Sequence, residues 1–171
     1  VGWDWVANSV FWGNGLIFLL FAPKRKGDPA MKKIDAHLHF CMDRYFDTIA
    51  EAAGHRNTEA DLKAAFDREG VALGIVMGNR PLKETGWRYP AFLRYCVGVE
   101  PEEIRQLGST EAERLAEIPL RRPDCVGLQL YPGYSACPVS DPIYTPSYGL
   151  AASSGQPVVV HTGALAGRQE R

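Results

Sequence analysis

From Met31 onward, short apolar runs alternate with stretches whose apolar residues recur at helical spacing. Residues 34–40 read as a first strand. Thr58, with Asp61 three residues on, has the form of a helix N-cap, and Leu62, Ala65 and Phe66 give the stretch behind it an apolar face. Gly70 closes that helix. Residues 71–77 follow as a second strand, continuous enough in apolar character to be buried on both faces. Residues 78–87 form a loop, residues 90–94 a short helical candidate, and residues 95–99 a third strand. Thr110 with Glu113 repeats the capping signature and opens a helix expected to end before Pro119. Residues 125–130 are a fourth strand. A loop rich in Pro, Tyr, Ser and Gly then runs from Tyr131 to about Pro146. A helix over 147–154, ended by Gly155, leads to a fifth strand at 157–161.

Strands that alternate with helices pair in parallel through right-handed crossovers, so the expected class is α/β with about five βα units. The first thirty residues break the pattern. Residues 10–22 are mostly apolar and Lys24-Arg25-Lys26 follows them. A membrane helix needs about 20 apolar residues, and Gly13, Asn14 and Gly15 interrupt this run. A signal peptide carries its positive charge ahead of its apolar core, the reverse of this order. Met31 stands directly before Lys32-Lys33-Ile34-Asp35, a natural opening for a first strand. Residues 1–30 are therefore expected to be an extension outside the domain, of the kind produced by translation of an upstream region. Residues 31–171 are expected to be the domain.

Charge and composition narrow the classes. The 171-residue chain is 46% hydrophobic and 23% charged with a formal net charge of −1, and no basic stripe is interleaved with aromatics, so nucleic acid is not an expected partner. Cys41, Cys96, Cys125 and Cys137 form no Cys-x-x-Cys pair. That argues against a disulfide scaffold or a zinc finger and fits a reducing cytoplasm.

Chemistry gathers at the strand ends. His37 and His39 are two apart on a strand, so both side chains take one face, and Asp35 shares it. Two imidazoles at the end of a buried strand form half of a divalent-metal site. His161 ends the fifth strand on the same open end of the sheet and supplies a third nitrogen. His55, in the connection before the first capped helix, reads as a solvated polar residue.

Asp35-Ala36-His37-Leu38-His39, Val126 through Tyr134 (VGLQLYPGY) and Pro157 through Gly163 (PVVVHTG) resemble strands one, four and five of the amidohydrolase superfamily. Within it they are most similar to the amidohydrolase-related branch that includes aminocarboxymuconate-semialdehyde decarboxylase. The resemblance covers almost everything after Met31. It implies a (β/α)8 barrel of the TIM type, of which this chain would hold about five units, with a metal at the C-terminal mouth. It further implies a hydrolase in which one zinc ion, bound by His37, His39 and His161, activates water for attack on a carbonyl of a small-molecule substrate. A non-oxidative decarboxylase on the same scaffold is the alternative, and a fragment that binds metal without catalysis is a third. The family also uses a histidine after strand six and an aspartate after strand eight. Neither can be placed here, so the chain alone is expected to lack complete catalytic machinery, its catalytic residue unassigned, and the full-length protein is open to oligomerisation.

Where two-metal members of the superfamily carry a bridging anion on strand four, this chain has Gln129. A neutral amide cannot bridge two cations, which favours one metal and leaves Gln129 either to hydrogen-bond substrate or metal-bound water or to stand simply as a polar group facing the barrel interior. With Tyr131 and Tyr134 it forms the expected substrate-side set. The loop after strand four, which also carries Tyr144 and Tyr148, reads either as a substrate-covering lid or as tyrosines packed over the rim. Cys41 reads as buried and apolar. Arg80 and Arg88 read as solvated, with a substrate carboxylate as their alternative partner. A cupin-like metal module, suggested by Asp43 after His39, conflicts with the helix signals at Thr58 and Thr110.

Overall fold

The computed structural model describes residues 32–40, 44–78, 80–84, 88–132, 135 and 137–161. Tyr134, Cys41, Asp43 and the whole of 1–31 lie outside the described residues. The elements in chain order are β1 (Lys33–Leu38), α1 (Arg44–Ala52), α2 (Glu59–Glu69), β2 (Val71–Val76), β3 (Leu93–Val99), α3 (Pro101–Leu107), α4 (Ser109–Leu120), β4 (Cys125–Leu130), α5 (Thr145–Ser153) and β5 (Val158–Val160), with a 3-10 turn at Pro142–Tyr144.

All five strands join one sheet whose spatial order is the chain order, β1-β2-β3-β4-β5, and each neighbouring pair is parallel. A doubly wound sheet reverses its order at a switch point; this one does not. Because parallel crossovers are right-handed, successive connections then fall on one side of the sheet. The result is a curled, all-parallel half-barrel with its helices outside.

The core lies between sheet and helices. Leu93, Tyr95, Val97 and Val99 of β3, with Leu128 and Leu130 of β4, pack with Phe66 of α2, Ile104 of α3, Ala116 of α4 and Leu150 of α5. Side chains alternate along a strand, so Cys96, Gly98, Gly127 and Gln129 take the opposite, concave face. α2 sits tightly on β2: a Cβ on Gly74 would come within 2.7 Å of Phe66 Cζ and would also overlap Leu38 and Leu93. Thr58 caps α2, its hydroxyl oxygen accepting the Asp61 N–H at 3.1 Å, while the Asp61 carboxylate takes the hydroxyl proton in return. Gly70 ends the helix in the left-handed conformation, φ 68°. No helix among the described residues is long and apolar enough to cross a membrane.

Several expectations are corrected. Residues 90–94 are not helical: a turn closes with Leu93 N–H on the Pro90 carbonyl, and Leu93 then pairs with Gly74 of β2, so sheet pairing overrides local propensity. α1 and α3 were not expected; each is short, and α3 opens on Pro101 with Glu102 and Glu103 in its first turn. α4 begins at Ser109 rather than at Thr110, with Gly108 at its cap and no side-chain cap bond. Pro119 lies inside α4, where its missing N–H falls in the last turn. The Pro119 carbonyl accepts the buried Tyr95 hydroxyl at 2.9 Å. β2 is buried only in part, since Ala72 is exposed and Val71, Leu73 and Ile75 are half-buried. α5 starts at Thr145, which shortens the preceding loop.

Candidate metal centre

β1 places His37 and His39 on either side of buried Leu38, so period-two alternation turns both imidazoles away from the helix-packed core. Their ring centroids are 5.4 Å apart in an edge-to-face pose. His161 follows β5, tied to β4 by its own N–H on the Leu130 carbonyl at 2.9 Å. Its ring centroid lies 6.3 Å from that of His37. Two imidazoles bound to one zinc through bonds of about 2 Å bring their centroids to roughly 5 Å. The His37–His39 pair is near that separation, and His161 stands slightly outside it. Among the described residues, no group of three or more His, Cys, Asp or Glu side chains is drawn close enough to hold a metal as it stands.

The surroundings of His37 favour its neutral form. Burial lowers its pKa below the ordinary 6.5, the nearby His161 lowers it further, and Asp35 opposes both. Neutral imidazole is the species that donates a lone pair to a metal. The Asp35 carboxylate accepts the backbone N–H of His37 at 3.1 Å, and burial raises its pKa above the usual aspartate value. His39 stacks on Phe46 of α1, centroids 6.2 Å apart, so the unexpected first helix supports one of the rings.

On the β4 side, Gln129 is enclosed completely at 0% exposure, in register with Gly98 of β3 and Val159 of β5. Its Oε1 lies 2.8 Å from the Tyr131 hydroxyl. The Tyr131 ring in turn lies beside His161, centroids 5.8 Å apart. His37, His39, Gln129, Tyr131 and His161 therefore form one connected group at the strand ends.

Other candidates are placed elsewhere. Arg80 is held by Glu84 at 2.6 Å, with its guanidinium 5.5 Å from the Tyr89 ring centroid, and Arg88 is exposed. Tyr144 is buried in the core and the Tyr148 hydroxyl bonds the Val139 carbonyl, so these two tyrosines pack rather than cover. Cys96, Cys125 and Cys137 are buried free thiols, and burial pushes Cys96 up to about 12 and Cys125 to about 11.

One ionisable group at this end of the sheet was not singled out from the sequence. Glu100 continues the extended backbone of β3, and burial, then Glu102 and Glu103, push it up to about 7. Its signal was legible: an acidic residue directly after a buried strand and before a helix-opening proline. Compared with family models and with curated proteins, the chain matches none.

Proposed function

We propose that the open end of this sheet is a single-metal centre in a hydrolase barrel of the amidohydrolase type. The observation that carries the reading is the convergence of three imidazoles. They come from the C-terminal ends of the first and fifth strands of a sequentially ordered parallel sheet, the end at which barrel enzymes place their chemistry. His37, His39 and His161 would hold the ion. Bound there, zinc would activate water for attack on a carbonyl-type substrate. Burial and His161 hold His37 below the ordinary histidine range, which favours the neutral imidazole a metal would need. Gln129 supports one metal rather than two, because a neutral, enclosed amide supplies no bridging charge. Tyr131 stands on the strand-four side, where a small-molecule substrate would be met, with enclosed Gln129 behind it on the Tyr131 hydroxyl. Eight strands in all and a cytoplasmic setting complete the proposal, the second supported by three cysteines held as thiols.

Equilibrium dialysis against zinc tests it. The wild-type chain should retain close to one equivalent, and His37→Ala and His39→Ala should each retain far less. Equal stoichiometry in all three proteins would refute the assignment. Offered to a protein that carries the complete eight-stranded barrel, a panel of esters, amides and aryl carboxylic acids, read for acid release and for carbon dioxide, separates hydrolysis from decarboxylation.

A further inference from the structure

The side chain of Tyr131 crosses the open end of the sheet. It leaves the end of β4, and its hydroxyl oxygen lies 2.8 Å from Gln129 Oε1 and 3.2 Å from the carbonyl of Gly78, just past β2. β3 runs between these strands and carries Gly98 at that level, in register with Gln129. The Gly78 and Gly98 backbones approach so closely that a Cβ on either would overlap the other. Two glycines thus let the Gly78 carbonyl lean across β3 to within reach of a hydroxyl two strands away.

A hydroxyl proton serves one acceptor at a time. With the Gln129 amide as placed, Tyr131 donates to Oε1, and the buried Nε2 has no hydrogen-bond partner among the described residues. Turned by half a rotation, the amide would donate to Tyr131 while Tyr131 donates to Gly78, and both contacts would be used. As placed, the hydroxyl donates to one of two acceptors within reach, and in the turned orientation it is held at two points. The ring so fixed lies 5.8 Å from the His161 ring at an interplanar angle of 36°. The His161 backbone is already tied to Leu130, which leaves ring rotation as its main freedom. Tyr131 occupies one side of that rotation.

We infer that Tyr131 is a positioning residue, strapped across Gly98 to Gly78 and Gln129, that sets the angle at which His161 faces His37. The consequence for metal binding rests on the proposed function; the positioning itself needs no metal. A ligand that loses its supporting partner typically loses about ten-fold or more in metal affinity.

The test uses the metal-free 171-residue chain. Imidazole resonances of His161, assigned by their loss in His161→Gln, report the ring's surroundings. Tyr131→Phe keeps the aromatic wall and removes the strap. Gln129→Leu keeps the volume, removes one anchor and deletes a buried amide end, so melting temperature should hold or rise. In both variants the His161 signals should shift or broaden while those of His55 stay in place, and cobalt(II) affinity should fall about ten-fold. Unchanged His161 signals in Tyr131→Phe overturn the inference; should that variant fail to fold, unchanged signals in Gln129→Leu do the same. Shifted His161 signals in a chain that binds no cobalt would uphold the positioning and remove the metal centre.

Discussion

Replacing Glu100 by Gln should stabilise the protein above neutral pH and do nothing in acid. Glu100 sits between β3 and α3 with φ −101° and ψ 135° and makes no side-chain cap bond. Burial raises its pKa most, followed by the charges of Glu102 and Glu103, from 4.5 to about 7. The Tyr144 hydroxyl is a further titratable group within its field. Because the folded value lies above the unfolded one, the folded state prefers the neutral acid. Its stability is complete below about 4.5 and declines as pH rises through 7. A tenfold change in proton affinity is worth about 1.4 kcal/mol, which sets a ceiling of roughly 3 kcal/mol. Glu100 retains some contact with solvent, so about 1–2 kcal/mol is the expected size. The amide introduced by Glu100→Gln cannot ionise and escapes this cost. Urea denaturation followed by circular dichroism should show the variant more stable than wild type by that amount at pH 8, or about 3–6 °C in melting temperature. At pH 4.5 the two should coincide. An equal difference at both pH values would mean that the substitution acts through packing and that Glu100 carries no buried charge.

Two further substitutions probe the frame around the candidate centre. Thr58→Ala should cost about 1 kcal/mol in urea denaturation, because the Asp61 N–H loses its acceptor at the start of α2; an unchanged midpoint would show that this cap contributes nothing. Gly74→Ala should cost about 1–3 kcal/mol, since its methyl group has to displace Leu38, Phe66 and Leu93 at once. A neutral result there would mean that α2 rides more loosely on β2 than this packing implies.

What could be read in advance from the chain was whatever is local. Each strand carried its apolar run, Thr58 and Asp61 stood three apart, and Gly70 marked a helix end, so five strands and the capped helix α2 were legible. Where neighbours in space decide, local signals misled. Residues 90–94 have a helix-compatible composition but are claimed by β2, and Thr110 looked like a cap although α4 had already begun at Ser109. The seven-residue helix α3 offers too few turns for periodicity to register, whereas α1 is strongly amphipathic and its signal was passed over.

The candidate centre divides along the same line. His37 and His39 announce a shared face by their spacing alone, and His161 announces itself by ending an apolar run, so their arrival at one end of the sheet follows from topology. Nothing within a few residues of Tyr131 predicts that its hydroxyl meets the Gly78 carbonyl, a partner 53 positions earlier. Gly78 and Gly98 look like ordinary loop and strand glycines until β2 and β3 are laid side by side, when each proves to leave room for the other. The donor set of such a centre is therefore written in short motifs, while the parts that aim it are distributed over β2, β3 and β4. Gly98→Ala keeps every histidine and every motif of the resemblance. It should nonetheless disturb the His161 imidazole resonances, because the added methyl pushes the Gly78 carbonyl away from Tyr131. Resonances that stay in place in a folded Gly98→Ala chain would show that the glycine pair plays no part in aiming His161.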